Sequence, residues 1–145
     1  MTKKFTLGKN ERLKSRKSIE QLFKAGNSFV VSPYRVHYFI SKAETQQPEG
    51  LGKDESALLQ FGVGVSAKHF KKAVDRNRIK RLTRETYRLQ KIPLHKLVKE
   101  KNKRLHVFFN YIAKELPLFQ EVKEKVALAL NKLSKIINEN SAADS

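Results

Sequence analysis

The chain has 145 residues, with 31 Lys or Arg against 14 Asp or Glu, a formal net charge of +17 and no cysteine. That length buries one core without staples, and the missing cysteines exclude a disulfide framework and any thiolate zinc site. No apolar run approaches the roughly 18 residues of a membrane span, and the polar start Met-Thr-Lys-Lys-Phe lacks a signal-peptide core, so a cytoplasmic protein is expected. The cationic excess is the electrostatic footprint of a nucleic-acid binder. A membrane-surface role fits less well, because no broad Trp/Leu face accompanies the basic residues.

In chain order, residues 1–16 form a basic N-terminal extension with Phe5, Leu7 and Leu13 as anchors. A short helix is predicted from about Lys17 to Ala25, with Ser15 or Ser18 able to cap its start and Gly26 at its end. Ile19, Leu22 and Phe23 share one face of it, and periodicity alone reads Phe23 as core. Tyr34 to Ser41 alternates Tyr34, Val36, Tyr38 and Ile40 with Arg35, His37, Phe39 and Ser41, which predicts a strand with one buried face. The second face suits base stacking and phosphate pairing, although an ordinary amphipathic strand would share the pattern. Residues 42–57 carry Pro48, Gly50 and Gly52 without apolar periodicity and read as a flexible hairpin loop. In the next strand, Leu58 to Ser66, Phe61, Val63 and Val65 oppose Gly62 and Gly64. Two glycines on one strand face make sense where the N-terminal helix or a ligand approaches closely.

The densest charge follows. Lys68 to Lys91 holds ten Lys or Arg against Asp75 and Glu85, a local net charge of +8. Ile79, Leu82, Thr86 and Leu89 fall along one side of a helix advancing about 100° per residue. Arg76, Asn77, Lys80, Arg84, Arg88 and Lys91 spread over the opposite third, with Arg81 at its edge. The helix is expected to end before Pro93, followed by a Lys-rich connection and a strand from Leu105 to Ile112. A last amphipathic helix from about Leu118 to Asn138 carries Phe119, Val122, Val126, Ala129, Leu130, Leu133 and Ile136 as its stripe, and 139–145 read as a frayed tail. The order α-β-β(β)-α-β-α describes a single α+β domain, a two-layer α/β sandwich. Its central helix would normally make a right-handed crossover between parallel strands.

No catalytic constellation accompanies this fold. His37, His69, His95 and His106 lack metal-ligand spacing, no phosphate-binding glycine loop or nucleophile elbow occurs, and Asp75 and Glu85 are the only carboxylates in the basic region. A metal-dependent nuclease needs a carboxylate cluster to hold its cations. Glu85, one turn from Arg81, reads as an orienter of guanidinium groups.

The run Arg-Asn-Arg-Ile-Lys-Arg-Leu-Thr-Arg-Glu, Arg76 to Glu85, preceded by Phe-Gly-Val-Gly-Val-Ser-Ala-Lys from Phe61, resembles the central block of the bacterial ribonuclease P protein subunit. Asn10 to Gly26 is similar to that family's leading segment. The resemblance implies a left-handed crossover helix, in the fold of ribosomal protein S5 domain 2. It implies a subunit of the endoribonuclease that removes the 5′ leader of precursor tRNA, with catalysis by the RNA subunit and its Mg²⁺. It makes Arg76, Asn77, Arg78, Lys80, Arg81 and Arg84, extended by Arg88, the contacts to the catalytic RNA. It sets Ile19, Phe23, Arg35, His37 and Lys68 in or near a cleft for the single-stranded leader. Ile19 stands where an aromatic residue is common in the family. The implied partners are the catalytic RNA and precursor tRNA, without DNA or membrane, and no metal or cofactor is expected on the protein. The competing reading is a ribosomal or ribosome-assembly protein. A DNA reader fits poorly because a glycine-containing strand, not a helix and turn, precedes the basic helix.

Overall fold

The computed structural model describes residues 12–13, 15–42 and 58–144. The anchors Phe5 and Leu7, most of the basic extension and the 43–57 part of the hairpin loop lie outside them. The elements run α1 (Arg16–Ala25), β1 (Asn27–Val31), β2 (Tyr34–Lys42), β3 (Leu59–Val65), α2 (Ala73–Gln90), α3 (Ile92–Glu100), β4 (Lys103–Tyr111) and α4 (Phe119–Asp144).

The four strands make one mixed sheet in the order β1-β2-β4-β3. β1 and β4 each pair antiparallel with β2, while β3 lies parallel to β4 and is joined to it through α2 and α3. Alternation decides what each face carries. Tyr34 and Val36 of β2, Leu59, Phe61 and Val63 of β3, and Leu105, Val107, Phe109 and Tyr111 of β4 are buried in one core. Ile79 and Tyr87 of α2, Leu94 and Val98 of α3, and Val122, Val126, Ala129, Leu130, Leu133 and Ile137 of α4 complete it. The opposite face of the sheet is met by α1, whose Leu22 is buried and whose ring Phe23 reaches β2 and β4.

The optional strand of the expected order is present: the residues before β2 form β1, which places the sheet at four strands. Three expectations need correction. The Lys-rich connection is largely a helix, α3, because Pro93 sits at its first turn, where a missing N–H costs nothing. The apolar side of α2 is turned from the expected one: Ile79, Thr83, Thr86 and Tyr87 are buried while Leu89 is exposed. Thr83 and Tyr87 were invisible to an apolar count because their burial depends on partners across the core. Tyr34 Oη and Thr83 Oγ1 are 2.7 Å apart, Thr83 Oγ1 also donates to Ile79 O, and the Tyr87 ring stacks on Phe61 at 3.9 Å. In α4, Ile137 rather than Ile136 is fully buried, Phe119 is exposed, and the helix is assigned to Asp144 where its end was expected near Asn138.

Gly26 ends α1, with Ser15 capping the start by accepting from Ser18 N–H. The glycine does not use a left-handed conformation; its φ is −88°. It is there for space, since a Cβ would lie 2.5 Å from Leu22 O and 2.6 Å from Tyr38 O. Gly26→Ala should therefore destabilise the fold by about 1–3 kcal/mol, as overpacking does. A urea midpoint equal to that of the wild type would contradict this close approach.

Candidate nucleic-acid interface

Two surfaces carry the residues singled out by the sequence. The first is the outer side of α2. Asn77, Arg78, Arg81 and Arg84 are exposed there, and Lys80 and Arg88 are half-buried. Arg76 is different. Its Nη1 donates to Phe70 O at 2.7 Å and to Lys71 O at 2.9 Å, tying the first turn of α2 to the loop that precedes it. Glu85 pairs with Arg88 at 2.9 Å, three residues on, and not with Arg81 as its spacing suggested.

Arg12, which sequence reasoning left among the extension residues, adds to this surface. It forms a parallel bridge with Phe61, and Leu13 N–H donates to Phe61 O at 2.8 Å. The segment thereby lies along the free edge of β3, and the Arg12 charge acts on Arg84. Partial burial first, and Arg12 second, hold the Arg84 guanidinium below its usual pKa. Two like charges brought together in this way favour an anion between or above them.

The second surface is the sheet face under α1. Phe23 is 50% exposed, so it is not core as periodicity suggested. Its ring meets His37 at 4.5 Å and the edge of Phe108 at 5.5 Å. His37 and Phe108 are register partners on β2 and β4, and Gly62 of β3 continues the same row. A Cβ on Gly62 would lie 2.9 Å from both Leu13 O and Phe108 Cδ1, and one on Gly64 would lie 2.8 Å from Phe108 Cζ. The glycines thus answer the close approach of the leading segment and of the Phe108 ring. Ile19 is one helical turn before Phe23 and half-buried, Arg35 is exposed two residues before His37 on the same face, and Lys68 is in the exposed turn after β3. Phe108, His106 and Asn110 were missed, although the alternation that picked out His37 on β2 selects them on β4.

Burial first, then Arg35, lowers the pKa of His37; burial first, then Arg104, lowers that of His106. Both imidazoles therefore stay neutral in the fold at pH values where the unfolded chain, near 6.5, already binds a proton. Their contribution to stability is present above about pH 6.5 and is lost as pH falls towards the depressed folded values. His106→Gln should flatten the fall of the urea midpoint between neutral and acid pH. Parallel curves for the two proteins would remove His106 from the acid response.

Among the described residues, no three His, Asp or Glu side chains converge in a group able to hold a metal ion, and no helix is long and apolar enough to cross a membrane. A mixed sheet with arginines along one covering helix, and on its other face an aromatic cluster whose Phe23 is exposed, fits the class of RNA-binding α+β proteins. Residues 7–134 match the family described as Ribonuclease P. The ribonuclease P protein component of Porphyromonas gingivalis is 35% identical over 130 residues, covering 90% of this chain and 88% of that protein. The Staphylococcus aureus RNase P protein structure is 22% identical, with a TM-score of 0.53 over 88% of this chain and 97% of that one, and shares the fold. A mutant of the staphylococcal protein gives 0.55. The chain belongs to the bacterial ribonuclease P protein family, the protein component of the tRNA-processing ribonuclease.

Proposed function

We propose that the protein docks the outer face of α2 on the catalytic RNA of ribonuclease P and receives the 5′ leader of precursor tRNA in the cleft under α1. The observation that carries this reading is the exposed Phe23 ring against His37 and Phe108, on the sheet face opposite the arginine-bearing helix. Aromatic rings accept single-stranded bases whatever their sequence, and guanidinium groups pair with the phosphates of a structured RNA. A polyanionic ribozyme repels a polyanionic substrate, so a cationic wedge that touches both lowers the Mg²⁺ needed to hold them together. Mg²⁺ supplies its chemistry on the RNA subunit; the residues of this chain bind, orient and neutralise. The setting for that reaction is the cytoplasm.

The test adds the purified protein to a bacterial ribonuclease P RNA and a precursor tRNA at limiting Mg²⁺. Leader removal is expected to accelerate, with no cleavage by protein alone. No acceleration, or cleavage without the RNA, would overturn the proposal.

A further inference from the structure

Asn110 stands on the central strand β4, on the cleft face, with Arg35 of β2 and Gly64 of β3 as its register partners. Its Oδ1 lies 3.9 Å from where a Gly64 Cβ would be, and Phe108 Cζ lies 2.8 Å from the same point. The Phe108 ring therefore covers the side-chain-free stretch of β3, with the Asn110 amide beside its tip. Asn110 is half-buried, and among the described residues no hydrogen bond engages its amide. Gln60, the other amide on this face, has a partner of its own.

These features differ in what they can distinguish. Phe23 and Phe108 offer π-faces on which any base stacks. Arg35 and Lys68 are cations suited to phosphates, which carry no sequence information. An uncommitted amide offers an acceptor and two donors at fixed positions, and such groups discriminate base edges. Because Gly62 and Gly64 carry no side chains, the Phe108 ring lies down over β3, and a base stacked on its outer face would turn its edge towards Asn110. We infer that Asn110 is a specificity-determining residue, reading the edge of one leader base whose face rests on the Phe23–His37–Phe108 cluster. The inference rests on the leader-cleft reading above and adds sequence choice to it.

The experiment is a competition among precursor tRNAs carrying each of the four bases at each leader position near the cleavage site. They are processed by holoenzyme assembled with wild-type, Asn110→Ala or Asn110→Asp protein, and scored as relative kcat/KM. Leaderless tRNA binding is measured alongside, and affinity for the catalytic RNA reports that each variant is folded. The wild type is expected to prefer one base at one position by roughly 5- to 150-fold. Asn110→Ala should flatten that position alone. Asn110→Asp, which only accepts, should move the preference towards bases bearing an exocyclic amine. An unchanged pattern in both variants, or a uniform loss of rate without a change of pattern, overturns the assignment of Asn110 and leaves the cleft standing. A wild-type holoenzyme that binds leader-bearing and leaderless tRNA equally overturns the cleft itself.

Discussion

Replacing Arg78, Arg81 and Arg84 together by Ala is expected to weaken binding to the catalytic RNA about 100- to 500-fold at 0.1 M salt. Each phosphate contact contributes roughly 0.7 to 0.9 to the slope of log K against log salt, so three lost contacts flatten it by about 2 to 3 and remove a similar number of decades of affinity at 0.1 M. All three side chains are exposed, and among the described residues none makes a hydrogen bond to the fold, so the urea midpoint should hardly move. Ile79→Ala makes the reciprocal case. Ile79 is wholly buried between α2 and the sheet, and its truncation should cost about 2–5 kcal/mol of stability. The salt slope of the remaining folded protein should stay as it was. Filter binding across a salt series, with denaturant melts of the same samples, separates the two. A triple variant with an undiminished slope would move the RNA contact off this face.

Arg76 does not belong in that triple. Its guanidinium holds the Phe70 and Lys71 carbonyls, so removing it loosens the entry to α2 as well as deleting a charge. In sequence it is indistinguishable from Arg78, since both are arginines flanking Asn77 in a basic run. Helix spacing separates them only once the true buried side is known. That side was misjudged because Thr83 and Tyr87 are buried through a hydroxyl pair with Tyr34 and a stack on Phe61, contacts that depend on β2 and β3 being brought against α2. The sheet was more legible. Strict alternation in β2 and the paired glycines of β3 announced a close approach on one face, and the structure assigns it to Leu13 and Phe108. Phe23 could not be judged from α1 alone. A ring next to a buried Leu22 reads as core until the sheet beneath it proves to carry His37 and Phe108 instead of an aliphatic pocket. Pro93 shows the converse error, a helix breaker in mid-helix that is a welcome residue at the first turn of a new one.

Phe23→Ala is expected to lower affinity for leader-bearing precursor tRNA about tenfold or more, while leaving affinity for the leaderless tRNA and for the catalytic RNA unchanged. A stacked base is worth about 1–3 kcal/mol by alanine substitution, and the Phe23 ring offers one open side while His37 and the edge of Phe108 hold the other. The fold should tolerate the change, because half of Phe23 is already in water and the apolar anchor of α1 is Leu22. Gly64→Val tests the same cleft from below. Its Cβ would stand 2.8 Å from Phe108 Cζ, so the ring must swing up into the space a base would occupy. That variant should lose leader-dependent affinity as Phe23→Ala does, and in addition about 1–3 kcal/mol of stability from overpacking. The two variants reach the cleft by opposite means, one removing a surface and the other filling a space. Agreement between them in leader dependence, with disagreement in stability, is what a stacking cleft requires. If instead both weaken leaderless and leader-bearing tRNA alike, the cluster serves the fold and the leader binds elsewhere.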